Sequence, residues 1–247
     1  MSALKVCGMG LAIAGLTLAA SAQTPGMASD GRIRVQLMAQ HAVTLSAEVA
    51  AKIAAIPVQE GGAFRRGQPL VTFDCGGYRA QLRKAQATLE AASRLEKVNT
   101  QLAKLNSVGE LEVAQADGKA KEAAADASYM QTVVGKCVIS APFDGFVARR
   151  AAAVYQFVNP GTPLLDVVDA GPLELRMLVP SKWIGTLKPG SRFTVAVDEL
   201  GASFPAKIVR LGAQIDPVSQ SILAVGEIDG GAGKRLLPGM SGWASFR

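Results

Sequence analysis

A mainly β protein interrupted by one long α-helical hairpin is the fold class that this sequence predicts, and three observations predict it. The 26 Gly and 12 Pro among 247 residues place many turns along the chain, which favours short strands over a large helical body. Sliding the chain against itself by 94 residues aligns 45–73 with 139–167 without a gap. Between those two copies, the 63 residues from Asp74 to Lys136 contain no Pro and are dominated by Ala, Leu, Glu, Lys and Gln, all strong helix formers.

Residues 1–22 read as a secretory signal peptide. Lys5 supplies a positive n-region, Val6–Ala20 an apolar run of small residues, and Ala20-Ser21-Ala22 the small residues before a cut between Ala22 and Gln23. The run is short for a membrane span, which needs about 20 apolar residues; an uncleaved signal anchor is the alternative. Cys7 lies too early and lacks the small neighbours of a lipid-attachment cysteine. The mature chain is therefore expected to be exported and soluble. Export also changes how the net charge of +6 reads. Lys and Arg are scattered, paired only at Arg65-Arg66 and Arg149-Arg150, with no interleaved aromatics to stack bases, so nucleic acid is not an expected partner.

Six positions of the repeat are identical: Ser46/Ser140, Ala47/Ala141, Ala54/Ala148, Gly67/Gly161, Pro69/Pro163 and Leu70/Leu164. Apolar character is kept at Leu45/Ile139, Val49/Phe143, Ile53/Val147, Phe64/Val158, Val71/Leu165 and Phe73/Val167. These are positions that half-buried strands must fill, and the shared Gly suits a turn with positive φ. Two related β halves separated by one insert is the reading.

In the second half of the insert, Val113, Ala116, Ala120, Ala123, Ala127, Met130 and Val134 recur at alternating spacings of three and four, the period of a coiled-coil seam. In the first half, Leu82, Ala85, Leu89, Ala92, Leu95, Val98, Leu102 and Leu105 make a similar stripe with one phase slip. Asn106-Ser107-Val108-Gly109 interrupts both, and Ser107 with Glu110 has the spacing of a capping box. An antiparallel hairpin over 75–136 follows, with arms of roughly 28 residues and about 40 Å. Such a hairpin brings Cys75 and Cys137 together at its base, and in an exported chain a disulfide between them is expected. Two buried free thiols are the alternative. A Zn site is weaker, because His41 is the only histidine.

Three stretches, "VQEGGAFRRGQPLVTFD", "VISAPFDGFVARR" and "VNPGTPLLDVVD", resemble the two half-motifs of a lipoyl-like domain. With the hairpin between them and "LLPGM" near the end, the chain resembles, from about Arg32 onward, the periplasmic adaptor (membrane fusion protein, HlyD-like) family of tripartite efflux and secretion systems. The resemblance implies a lipoyl-like barrel-sandwich hybrid from 43–74 and 137–169, split by the hairpin. It also implies a small β-barrel from 170–247 with an N-terminal strand within 32–42. The sequence fits strands at "LELRMLV", "RFTVAVDELGASFPAKIVRL", "SILAVGEI" and "GWASF", with a short helix in Pro180–Gly190.

The implied partners are an inner-membrane transporter of RND or ABC type, an outer-membrane factor, and further copies of the chain as a trimer or hexamer. Members that bind outer-membrane factors carry an Arg, a Leu and a Ser around the hairpin tip. Ser107 with Glu110-Leu111 resembles the Ser end, and Arg94 with Leu95 the other at a shorter separation. The expected tip contact set is Arg94, Leu105, Asn106, Ser107, Glu110 and Leu111. Two departures stand out. The hairpin occupies the turn where a lipoyl domain carries its Lys, which disfavours swinging-arm chemistry. The chain also stops shortly after "LLPGM", so transporter contact is expected mainly from the barrel and the N-terminal strand.

Catalytic and cofactor chemistry has little support. No Ser or Cys matches His41, Asp144 suits its Pro-Phe-Asp-Gly turn, and Gly230–Gly233 precedes no helical pattern. Asp74 follows a strand, and Met27, Met38 and Met177 do not cluster. No enzyme, metal or cofactor is expected. The reading from another class is an exported ligand-binding or carrier β-protein that uses the hairpin to oligomerise.

Overall fold

The computed structural model describes residues 31–229 and 236–246. The signal segment with Ala22 and Gln23, Cys7, Met27, Gly230–Gly233 and Lys234-Arg235 lie outside them. The elements run β1 (Arg32–Met38), β2 (Ala42–Ser46), β3 (Ala51–Ala55), β4 (Ala63–Phe64), β5 (Pro69–Asp74), α1 (Gly76–Lys104), α2 (Glu110–Gly135) and β6 (Val138–Ser140). They continue with β7 (Gly145–Arg150), β8 (Phe157–Val158), β9 (Pro163–Asp169), β10 (Glu174–Pro180), β11 (Arg192–Val197), β12 (Ala202–Asp216), β13 (Ser221–Ile228) and β14 (Ser241–Phe246). The fold class read from the sequence is the one observed: mostly strands, one helical hairpin and one closed barrel.

The repeat becomes a pseudo-twofold body. Two four-stranded sheets have the orders β2-β9-β7-β4 and β6-β5-β3-β8, and adding 94 to each strand of one half gives its counterpart in the other. The identical residues do matching work. The Gly67 N–H donates to the Ala141 carbonyl and the Gly161 N–H to the Ala47 carbonyl, each at 2.8 Å. Both glycines hold positive φ, 79° and 87°, which a Cβ would penalise. Leu70, Leu164, Ile53, Val147, Phe73 and Val167 fill one shared core between the sheets. Gly145, in the "APFDG" turn, lies so close to β9 that an added Cβ would stand 2.1 Å from the Val168 carbonyl oxygen.

The hairpin enters between β5 and β6, which pair through Val71↔Ile139 and Thr72↔Val138. Cys75 and Cys137, each 1% exposed, are joined by a disulfide with their Cα atoms 6.2 Å apart. On α2 the seam runs as read, with Ala116, Ala120, Ala123 and Ala127 buried. On α1 the phase slip does not occur. Leu82, Ala85, Leu89, Ala92, Glu96, Asn99 and Ala103 are partly buried at a regular period of 3.5, with Ser93 and Leu102 partly buried beside them, whereas Leu95 and Val98 are each 49% exposed and Leu105 is 72% exposed. Geometry overrides hydrophobicity here, because two helices packed through alanines stay in register even where the next seam residues are polar. The Asn99 amide reaches across the hairpin to donate to the Glu112 carbonyl.

The second body is a closed barrel in the order β1-β10-β13-β12-β11-β14. Alternation along β10 turns Leu175, Met177 and Val179 inward, and Leu37, Val195, Ile208 and Ala244 complete a filled interior. The short helix expected in Pro180–Gly190 is a single 3-10 turn, Ser181–Trp183. Two crossings connect the bodies: residues 39–41 between β1 and β2, and residues 170–173 between β9 and β10. No helix among the described residues is long and apolar enough to cross a membrane.

Candidate functional site

The hairpin tip is built by two helix terminations. At the end of α1, the Asn106 N–H donates to the Ala103 carbonyl at 2.9 Å and the Ser107 N–H to the Leu102 carbonyl at 2.9 Å. Asn106 takes a left-handed conformation, φ 53°. This is a Schellman closure, with Asn in the place usually given to Gly. The start of α2 differs from the sequence reading. Gly109, not Ser107, is the N-cap residue, and the Glu112 carboxylate, not Glu110, accepts its N–H at 2.9 Å. The Ser107 hydroxyl instead donates to the Leu105 carbonyl at 3.3 Å. The αL closure spends Asn106 and Ser107 on ending α1, so the chain re-enters a helix two residues later than the Ser-x-x-Glu spacing suggests. Glu110 and Glu112 both fall in the first turn of α2, where carboxylates offset the helix dipole.

This geometry throws two large apolar side chains outward. Leu105 is 72% exposed and Leu111 69% exposed, flanked by exposed Asn106, Ser107 and Glu110. These five expected contact residues therefore share one tip. Arg94 does not join them. It sits ten residues before the end of α1, about 15 Å down the rod at 1.5 Å per residue, and pairs with Glu90 one turn away. Leu95 and Val98 lie on the same arm, and their exposure was missed because a hydrophobic stripe with an assumed slip looks like seam. Testing the 3.5-residue period without the slip would have left both residues outside it.

On the β2-β9-β7-β4 sheet the electrostatics are local. The Thr44 hydroxyl and the Arg149 guanidinium hold the Asp166 carboxyl below its ordinary range. On the barrel, burial would raise Glu174, yet hydrogen bonds from Arg210 and Arg176 outweigh it and hold that carboxyl low. His41 is not beside a nucleophile: its Nδ1 lies 2.9 Å from the Asp169 carboxylate in the neck between the two bodies. The Asp144 carboxylate accepts the Arg66 N–H at 2.8 Å, and that of Asp74 accepts the Gly76 N–H at 3.3 Å. Among the described residues no group of three or more His, Cys, Asp and Glu stands where it could hold a metal ion.

No family model matches the chain. It is 28% identical over 218 residues to an uncharacterized protein of Haemophilus influenzae, covering 88% of this chain and 56% of that protein. It is 24% identical over 211 residues to the nodulation protein NolF of Rhizobium meliloti, covering 79% and 58%. The chain thus spans just over half the length of the curated relatives it matches. Among solved structures, a MacA-MexA chimeric protein carrying the α-hairpin domain of Pseudomonas aeruginosa MexA superposes with a TM-score of 0.77 at 20% identity, over 86% of this chain and 79% of the chimera. The membrane fusion protein Spr0693 of Streptococcus pneumoniae gives 0.72 at 15% identity, over 87% and 98%. The architecture is that of the membrane fusion proteins.

Proposed function

We propose that this chain is a non-enzymatic periplasmic adaptor, a subunit of the HlyD-like kind that links an inner-membrane transporter to an outer-membrane exit duct. The fold shared with membrane fusion proteins supports the class. One observation carries the mechanical role: a stiff arm of 29 and 26 residues ends in a tight, polar-backbone tip that exposes Leu105 and Leu111. Large side chains left that open on a helix end contribute almost nothing to the monomer and gain burial only against another surface. Copies standing side by side, as a trimer or hexamer, would pack through the Ala-rich arms. The β bodies would rest on the transporter, of RND or ABC type.

Replacing Leu105 and Leu111 together by Asp tests the proposal. Both are surface positions, so the thermal midpoint should stay within the change expected for surface substitutions, about 0.5 kcal/mol equivalent. Co-purification with the outer-membrane component should be lost, as should efflux or secretion in cells. Retention of both activities with a normal midpoint would overturn the tip assignment.

A further inference from the structure

The neck between the two bodies contains a buried carboxylate that the adaptor reading does not use. Asp169, the last residue of β9, is only 9% exposed. Its Oδ2 lies 2.9 Å from His41 Nδ1, while its Oδ1 is buried and has no hydrogen-bond partner among the described residues. His41 belongs to the first crossing between the bodies and Asp169 opens the second. The two crossings are also tied by the backbone, the Asp169 N–H donating to the His41 carbonyl at 3.0 Å. Phe143, in the "APFDG" turn, lies against His41, their ring centroids 5.8 Å apart. The Ala170 N–H donates to the Asp144 carbonyl at 3.0 Å, and Gly171 approaches so closely that a Cβ there would stand 3.2 Å from Asp169 Oδ2.

From this geometry we infer that His41 and Asp169 form a pH-dependent latch that sets how rigidly the barrel is held to the lipoyl-like body. Burying a carboxylate is costly unless it is paired. With His41 protonated, Asp169 faces a cation across one crossing and the neck stays closed. With His41 neutral, Asp169 keeps at most a neutral donor for one oxygen and nothing for the other. Hydrating it then requires the crossings to part. Protonation of His41 therefore favours the closed neck at lower pH, and its loss loosens the neck as pH rises.

The surrounding ionisable groups do not replace His41. Asp144, on the turn, is another carboxylate, with its Oδ1 taken by the Arg66 N–H. Glu174, at the start of β10, is held by Arg176 and Arg210. Among the described residues no Lys or Arg pairs with Asp169. Histidine is the side chain that ordinarily changes charge between about pH 5 and 8, and His41 is the only one in the chain. This inference stands on the neck alone and survives whether or not the tip binds a duct.

Spin labels at Ala148→Cys and Ala196→Cys, both exposed and one on each body, report the distance between bodies by pulsed EPR on the exported full chain. The expected result is a narrow distance distribution near pH 5.5 and a distinctly broader one near pH 8, a window above the ordinary carboxylate range. His41→Gln should abolish the pH dependence and give the broad distribution throughout, and Asp169→Asn should also abolish the dependence. Circular dichroism and an intact disulfide check folding. If Asp169→Asn fails to fold, His41→Gln at its 64% exposed side chain carries the test alone. Equal widths at both pH values in the parent, or a pH response that persists in His41→Gln, would overturn the latch.

Discussion

Removing the disulfide at the hairpin base is the perturbation whose size the structure sets most directly. The bond joins residues 62 apart in sequence. On the chain-entropy account, opening a loop of that length releases about 14 cal/mol/K in the unfolded ensemble, or about 4 kcal/mol at 25 °C. The native state needs little of this constraint, because β5 and β6 already pair beside it and the Phe73 N–H donates to the Cys137 carbonyl at 2.9 Å. The loss should therefore fall on the unfolded side. The double variant Cys75→Ala/Cys137→Ala avoids burying a hydroxyl where each cysteine is 1% exposed. Urea denaturation of the variant, and of the parent with and without reductant, should show a stability drop of about 3–4 kcal/mol with the native circular dichroism spectrum kept. Variant and reduced parent should agree to within about 1 kcal/mol, the difference left by filling the site with methyl groups rather than thiols. A drop below about 1 kcal/mol would refute the reasoning. It would mean that the unfolded chain keeps the hairpin closed without the bond.

Two further outcomes concern the hairpin seam and the Asp166 carboxylate. Ala120→Leu, at a seam position 6% exposed, should overpack the two helices and cost about 1–3 kcal/mol, whereas Leu95→Gln on the outer face should change the midpoint little; equal effects in thermal melts would contradict the seam assigned here. Asp166 is lowered by Thr44 and Arg149, so its contribution is present above the unfolded carboxyl value near pH 4 and is lost as pH falls through the lower folded value. Thr44→Val should then be less stable than the parent by up to about 1 kcal/mol at pH 7, with the gap closing below about pH 4. A gap that is the same at pH 7 and pH 2.5 would show that the hydroxyl acts otherwise.

The repeat made the β body legible because identical residues perform identical tasks in both halves. Gly67 and Gly161 each close a turn onto an alanine carbonyl, and that requirement is visible in one chain. Where the halves diverge, the sequence is silent. Position 61 is a Gly at φ 73°, and its equivalent, Tyr155, holds φ 71° with its ring against the Lys52 ammonium. A non-glycine residue in that region carries strain that no pattern of hydrophobicity announces. The tip was half legible. Asn106 is the type of residue that ends a helix in a left-handed turn, yet the Ser107–Glu110 spacing drew attention to the wrong cap. The neck was not legible at all, because His41 and Asp169 meet only when the ends of β2 and β9 are brought together, 128 residues apart in the chain.

The hairpin also shows why exposure, more than burial, points to its role. No residue of α1 is buried, and the buried residues of α2 are four alanines. Alanine brings two backbones close but removes little apolar area from water, so a rod of this length is weakly supported by its own seam. Its base is held by the disulfide and by Tyr78, whose hydroxyl donates to the Ala50 carbonyl of the β body at 3.2 Å. Its far end has no such anchor. A sequence selected only for a stable monomer would place its large leucines in the seam and its polar residues outside. Here Glu96 and Asn99 occupy the seam while Leu95, Val98, Leu105 and Leu111 face solvent. That inversion weakens the isolated arm, and it becomes intelligible if the upper half of the rod meets its apolar partner on another molecule.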